Sequence, residues 1–193
     1  MKRFLLILIV CLFPSALLAE HISKVPIRFM NLEWGMSSAD YMKAMKQNDY
    51  SFVKTNEGKN IPTHVHKGEI LGLQVAVISG FEHDKLVKTI VLFMTDKSNY
   101  QEVFNEKYEA MKVKYGVSYS EAREFKPPFK EDDGYIDTAI QTGNAIIYNT
   151  YKDKDGNMAM ITINEEFYVR IEYEAERYGE LAKEMHKKAN SVF

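Results

Sequence analysis

Apolar positions along the chain fall into short periodic stretches separated by turn residues. Leu71, Leu73, Val75 and Val77 alternate with Gly72, Gln74, Ala76 and Ile78, the period-two signature of a strand with one strongly apolar face over residues 70–79. Residues 86–94 repeat the pattern, and residues 80–85 between them suit the connection of an antiparallel hairpin. Thr63 to Lys67 reads as a shorter strand ahead of these. Further strand patterns occupy part of residues 138–151, then 158–164 and 166–174. The last places Phe167, Val169, Ile171 and Tyr173 on one face against charged neighbours.

Helical spacing recurs between the strands. Ser37 with Asp40 three residues on forms a capping-box pattern and opens a short helix to about Gln47. A second helix is expected from Ser98, with Gln101 completing its cap. It aligns Phe104, Tyr108, Met111 and Tyr115 on one face and ends at Gly116. From Glu176 the tail carries Tyr178, Leu181, Ala182, Met185 and Ala189 at helical spacing. Residues 117–134 contain Pro127 and Pro128 and no sustained period, so they read as a long irregular connection and the most mobile segment. This order predicts an α+β fold: an antiparallel sheet covered by helices on one side and open on the other. It accommodates two tandem helix-plus-strands units, 30–96 and 98–175, followed by a C-terminal helix.

The first residues follow a different rule. Lys2 and Arg3 precede an unbroken apolar run from Phe4 to Phe13, broken by Pro14, Ser15 and Ala16, and Ala19 offers a cleavage point. Residues 1–19 thus read as a signal peptide and 20–193 as a single domain, exported to the periplasm or secreted. The run falls well short of the roughly 20 apolar residues needed to cross a bilayer, so no stable membrane insertion is expected after cleavage. Cys11, the one cysteine, lies inside this run, without the small residue that a lipidated cysteine wants before it. The chain beyond it carries no thiol for a disulfide, a nucleophile or a metal. Taking 19 residues from 193, Lys2 and Arg3 among them, leaves 174 residues with a net charge of −4. That balance attracts no nucleic acid.

A resemblance attaches to Phe29-Met30-Asn31-Leu32-Glu33-Trp34-Gly35-Met36-Ser37, with Tyr41 and Met45 on the helix that follows and Lys114-Tyr115-Gly116 closing the second helix. This resembles the F-x-x-[IL]-x-W-G-x-S opening of small exported bacterial α+β proteins of unknown function. It is loosely similar to SmpA/OmlA-type envelope proteins and, in layout, to the tandem-repeat β-lactamase inhibitor proteins. The chain departs from the SmpA/OmlA type in lacking a lipobox and the Gly-x-Pro that closes the first helix there. The resemblance implies fold and compartment, and it carries no active site with it.

Candidate chemistry is sparse. His64 and His66 alternate on a strand and project to one face, where two imidazoles could hold a metal ion, and His83 beside Asp84 could add a ligand if the hairpin folds back. Against a metal site stand the commonness of such spacing and the lack of an H-E-x-x-H helix. Asp153-Lys154-Asp155-Gly156-Asn157 fits a tight hairpin turn better than a calcium loop, because position 162, where a ligating glutamate belongs, is Thr162. Ser79 lies in no G-x-S-x-G elbow, and Glu172 and Glu174 share a strand face as a solvated pair would. Trp34 is expected to anchor the chain where it enters the first helix. Trp34 and Tyr168, the latter on the face opposite the inward aromatics, are also the two aromatic contact candidates.

These readings favour a non-enzymatic binding module that recognises another protein, as an envelope accessory, inhibitor or immunity factor does, with no cofactor. The alternatives are a small metal-dependent hydrolase using His64 and His66, and a carrier of a small apolar ligand.

Overall fold

A computed structural model describes residues 21–58 and 61–179. The signal-peptide reading falls outside them. So does all but the start of the C-terminal helix, of which residues 176–179 are helical.

The fold is α+β, and nine strands form one mostly antiparallel sheet. The first half runs through α1 (Ser38–Gln47), β2 (Ser51–Asn56), β3 (Thr63–Ile70), β4 (Leu73–Glu82) and β5 (Lys85–Phe93). The second runs through α2 (Tyr100–Tyr115), β6 (Ser120–Phe125), α3 (Ile136–Gln141), β7 (Ala145–Asp153), β8 (Met158–Ile163) and β9 (Val169–Glu174). Each half is a helix followed by a four-stranded antiparallel meander, and the final strands β5 and β9 pair to join them. A two-residue strand, β1 (Ile22–Ser23), adds in parallel to β7 beside β6.

Cross-strand register sorts the side chains into two faces. Val77, Val91, Ile171 and Ile161 stand in one row and Ser79, Thr89, Tyr173 and Ala159 in the next. All eight are buried. Both long helices pack on this face, through Tyr41 against Phe81, Tyr100 against Phe167 and Tyr115 against Tyr151. Between them lies the segment before α1, where Phe29 meets both Tyr50 and Tyr173. The opposite face bears Ile78, Ile90 and Met160 in one row with Glu172. There Lys88 Nζ lies 2.7 Å from Glu172 and 2.6 Å from Glu174, and Arg170 lies 2.7 Å from Glu172. The carboxylate pair that alternation puts on one face is therefore bridged by a lysine and mostly buried, not solvated.

Several boundaries move. β4 continues to Glu82, and the hairpin turns at His83 and Asp84, both at positive φ, rather than over residues 80–85. Asp84 supports that turn by accepting a hydrogen bond from the Ser38 amide. α2 starts at Tyr100, not Ser98: the Ser98 hydroxyl and amide both donate to Asp96 Oδ1, and no side chain caps the helix. Residues 117–134 contain a strand, β6, which pairs along β7 from Ala145 to Thr150. Residues 136–141, expected partly as strand, form α3.

Candidate functional site

The first helix begins where its sequence says it should. Ser37 Oγ accepts from the Asp40 amide at 3.2 Å and donates to the Asp40 carboxylate at 2.8 Å, leaving fewer orphan amides at the helix start. Its other end reverses the chain. Asp49 takes the left-handed conformation (φ 62°), its amide donates to Lys46 O, and the Tyr50 amide donates back to Met45 O at 3.0 Å. This is the bonding of a Schellman motif with aspartate where glycine is usual. The reversal sends β2 out directly after α1.

Between the two lies a groove of about 640 Å³ lined by Met42, Lys43 and Lys46 from α1, Tyr50, Ser51 and Phe52 from the reversal and β2, and His66 from β3. Gly68 makes room for it. A Cβ there would stand 2.5 Å from a Tyr50 ring carbon, so the absence of a side chain is what lets that ring lie on β3. Phe52 is 48 % exposed and Val53 50 % exposed. Val53 is the extra residue of a β-bulge, since Phe52 pairs with His66 and Lys54 with Val65.

His64 and His66 do share the helix-side face, paired through the register with Ser79 and Val77. Each ring is committed to packing and to a hydroxyl. His66 is 1 % exposed, its ring lies 5.3 Å from Tyr41 and 5.5 Å from Phe52, and its Nδ1 meets the Tyr41 hydroxyl at 3.4 Å. His64 packs on Phe81 at 4.9 Å and its Nδ1 meets Thr55 Oγ1 at 2.9 Å. Burial, with the neighbouring His64 adding to it, pulls the His66 pKa below its ordinary value, and burial raises the hydroxyls of Tyr41 and Tyr50. The groove floor is thus uncharged near neutral pH, and its charges are the two lysines of α1.

His83 does not join the other histidines. It sits on the β4–β5 turn with its imidazole Nδ1 3.9 Å from Glu82. Among the described residues no three histidine, cysteine, aspartate or glutamate side chains converge as a metal site would require. The Asp153 carboxylate is also turned inward, accepting from the amides of Ile27, Asp155 and Asn157 and from the Asn157 side chain, and so builds a hairpin turn. Trp34 is half-buried against the core, and its indole N–H donates to Ile27 O at 2.8 Å. Tyr168, half-buried just before β9, is separated from the groove in the sheet order by β5, β4 and β3.

The lining residues Met42, Lys43, Lys46, Tyr50 and Phe52 escaped the sequence reading. The Asp49-Tyr50 step after a capped helix, followed by the β-forming Phe52-Val53, was the available signal. Among known protein families, curated protein sequences and solved structures, none matches this chain, so the groove has to be read from its own chemistry.

Proposed function

We propose that this chain is an exported, non-enzymatic binding module that recognises another protein through the α1–β2 groove. One observation carries the reading: Phe52 and Val53, each about half exposed, continue the apolar floor of Met42 and Tyr50 out to the rim of the sheet. A contiguous apolar patch edged by charge is the usual composition of a protein-contact surface, and aromatic side chains there supply much of the binding energy. The histidines support the same reading, since both Nδ1 atoms are engaged by hydroxyls and both rings form the wall against which Phe52 rests. The leader pattern of residues 1–19 and the resemblance to envelope and inhibitor proteins support export.

The test is photocross-linking in the native host, with a diazirine or benzophenone residue replacing Phe52 and, separately, Tyr168. One reproducible protein adduct from position 52, with none from 168, is the expected result. No adduct from either position would remove the protein-binding reading and return attention to ligand carriage.

A further inference from the structure

We infer that the partner enters as an extended segment in which acidic and apolar residues alternate, adding to the sheet as a new strand along β2. The inference rests on the protein-binding reading above and names the form and charge of what is bound. Among the described residues β2 pairs with a strand on one side only, and all six of its residues are exposed. Its free edge therefore presents backbone donors and acceptors to whatever lies alongside, which is the requirement for recognition by strand addition. The groove supplies the side-chain pocket, because its walls come from α1 and from β2 itself. A strand laid against β2 puts every second side chain on the helix side, where apolar ones meet Met42, Tyr50 and Phe52.

Charge selects the remaining positions. The other side chains of such a strand fall on the face away from α1, where Lys54 of β2, paired with Val65, and the exposed Lys67 of β3, paired with Ser51, stand, and among the described residues neither lysine is in an ion pair. Asp49 and Glu57 bracket β2, so the basic character is confined to its middle, opposite Ser51–Asn56. The same features discourage a second copy of this chain. Its β2 would bring another Lys54 to the edge, and the bulge at Val53 interrupts the flat register that self-pairing wants. An acidic partner strand converts that repulsion into attraction, so one set of residues rejects self and admits the partner.

The test uses the purified protein and two capped octapeptides, one alternating glutamate with valine and the other alternating lysine with valine. Amide hydrogen exchange and NMR shifts locate binding. The glutamate peptide is expected to slow exchange within Ser51–Asn56 and shift Met42 and Lys46, binding at least about tenfold more tightly than the lysine peptide, as a modest charge term produces. Lys54→Glu with Lys67→Glu should erase or reverse that preference while the far-ultraviolet spectrum stays unchanged. Equal affinities, or protection elsewhere or nowhere, overturn the inference. So does concentration-dependent self-association abolished by Val53→Lys, which would give the edge to a second copy. If the peptides fail in these ways while position 52 still cross-links one protein, strand addition falls and the protein-binding reading stands. If the peptide result holds and no host protein cross-links, the reading falls instead.

Discussion

His66 shows how one side chain can look like a ligand in sequence and act as packing in the fold. Its alternation with His64 is real, but the position faces α1, where Tyr41 and Phe52 enclose it. Enclosure favours the neutral imidazole, so the folded state binds its proton less readily than the unfolded chain, whose histidine titrates near pH 6.5. The sign follows directly: the unfolded state binds more protons below that value, so the stability present above it is lost as pH falls toward the folded pKa. Urea midpoints should therefore drop between about pH 7.5 and about pH 5.5, and His66→Gln should flatten that drop. A slope unchanged by the substitution would place the pH sensitivity elsewhere. Gly68 teaches the complementary lesson. Nothing local in Lys67-Gly68-Glu69 announces a reason for glycine, and the reason is the ring of Tyr50, eighteen positions earlier.

At the scale of elements, α1 and its reversal decide whether the groove exists. The N-terminal cap was legible because Ser37 and Asp40 are three residues apart and interact through local backbone. The C-terminal reversal was not, because aspartate rather than glycine occupies its left-handed position. An L-residue is strained by roughly 1 kcal/mol in that conformation and glycine hardly at all, though glycine gives the unfolded chain more entropy to lose on folding. Asp49→Gly is thus expected to stabilise the protein by up to about 1 kcal/mol, read as a higher urea midpoint with an unchanged slope. Destabilisation would mean that the Asp49 side chain contributes more than its backbone conformation costs. β2 and β6 escaped the periodicity reading for a shared reason. β2 is exposed along its whole length and β6 over most of its own, and a strand without a buried face has no alternation to display.

Across the whole molecule, the two meanders meet along the β5–β9 pair, and an ion cluster sits on that seam. Lys88 of β5 faces Glu172 and Glu174 of β9, with the Tyr178 ring 4.6 Å from its ammonium. Burial alone would lower the Lys88 pKa, but the hydrogen bonds and charges of the two glutamates outweigh it and hold it above its ordinary value. Removing the lysine leaves Glu172 with Arg170 alone and the half-buried Glu174 without its cation, so Lys88→Met should cost roughly 2 kcal/mol near neutral pH. Acidification should narrow the gap to the parent protein as the stranded carboxylates take up protons. Removing the charge of Glu172 as well, by Glu172→Gln, should recover part of the loss. A Lys88→Met variant as stable as the parent would show that the apolar rows of Val91 and Ile171 hold the seam unaided.

Sequence alone determined what depends on near neighbours: the α+β class, the apolar faces of β4, β5, β8 and β9, the cap of α1, the Gly116 stop and the hairpin at Asp153–Asn157. These are set by two- and three-residue spacings and by the conformational demands of single residues, which a linear chain displays directly. Tertiary structure alone decided that Lys43, Lys46, Phe52 and His66 line one groove, that β2 lies at the rim, and that Glu172 has Lys88 and Arg170 for partners. Those juxtapositions depend on strand order and on which face each helix covers, and both are settled by burying the whole core at once rather than by any local spacing.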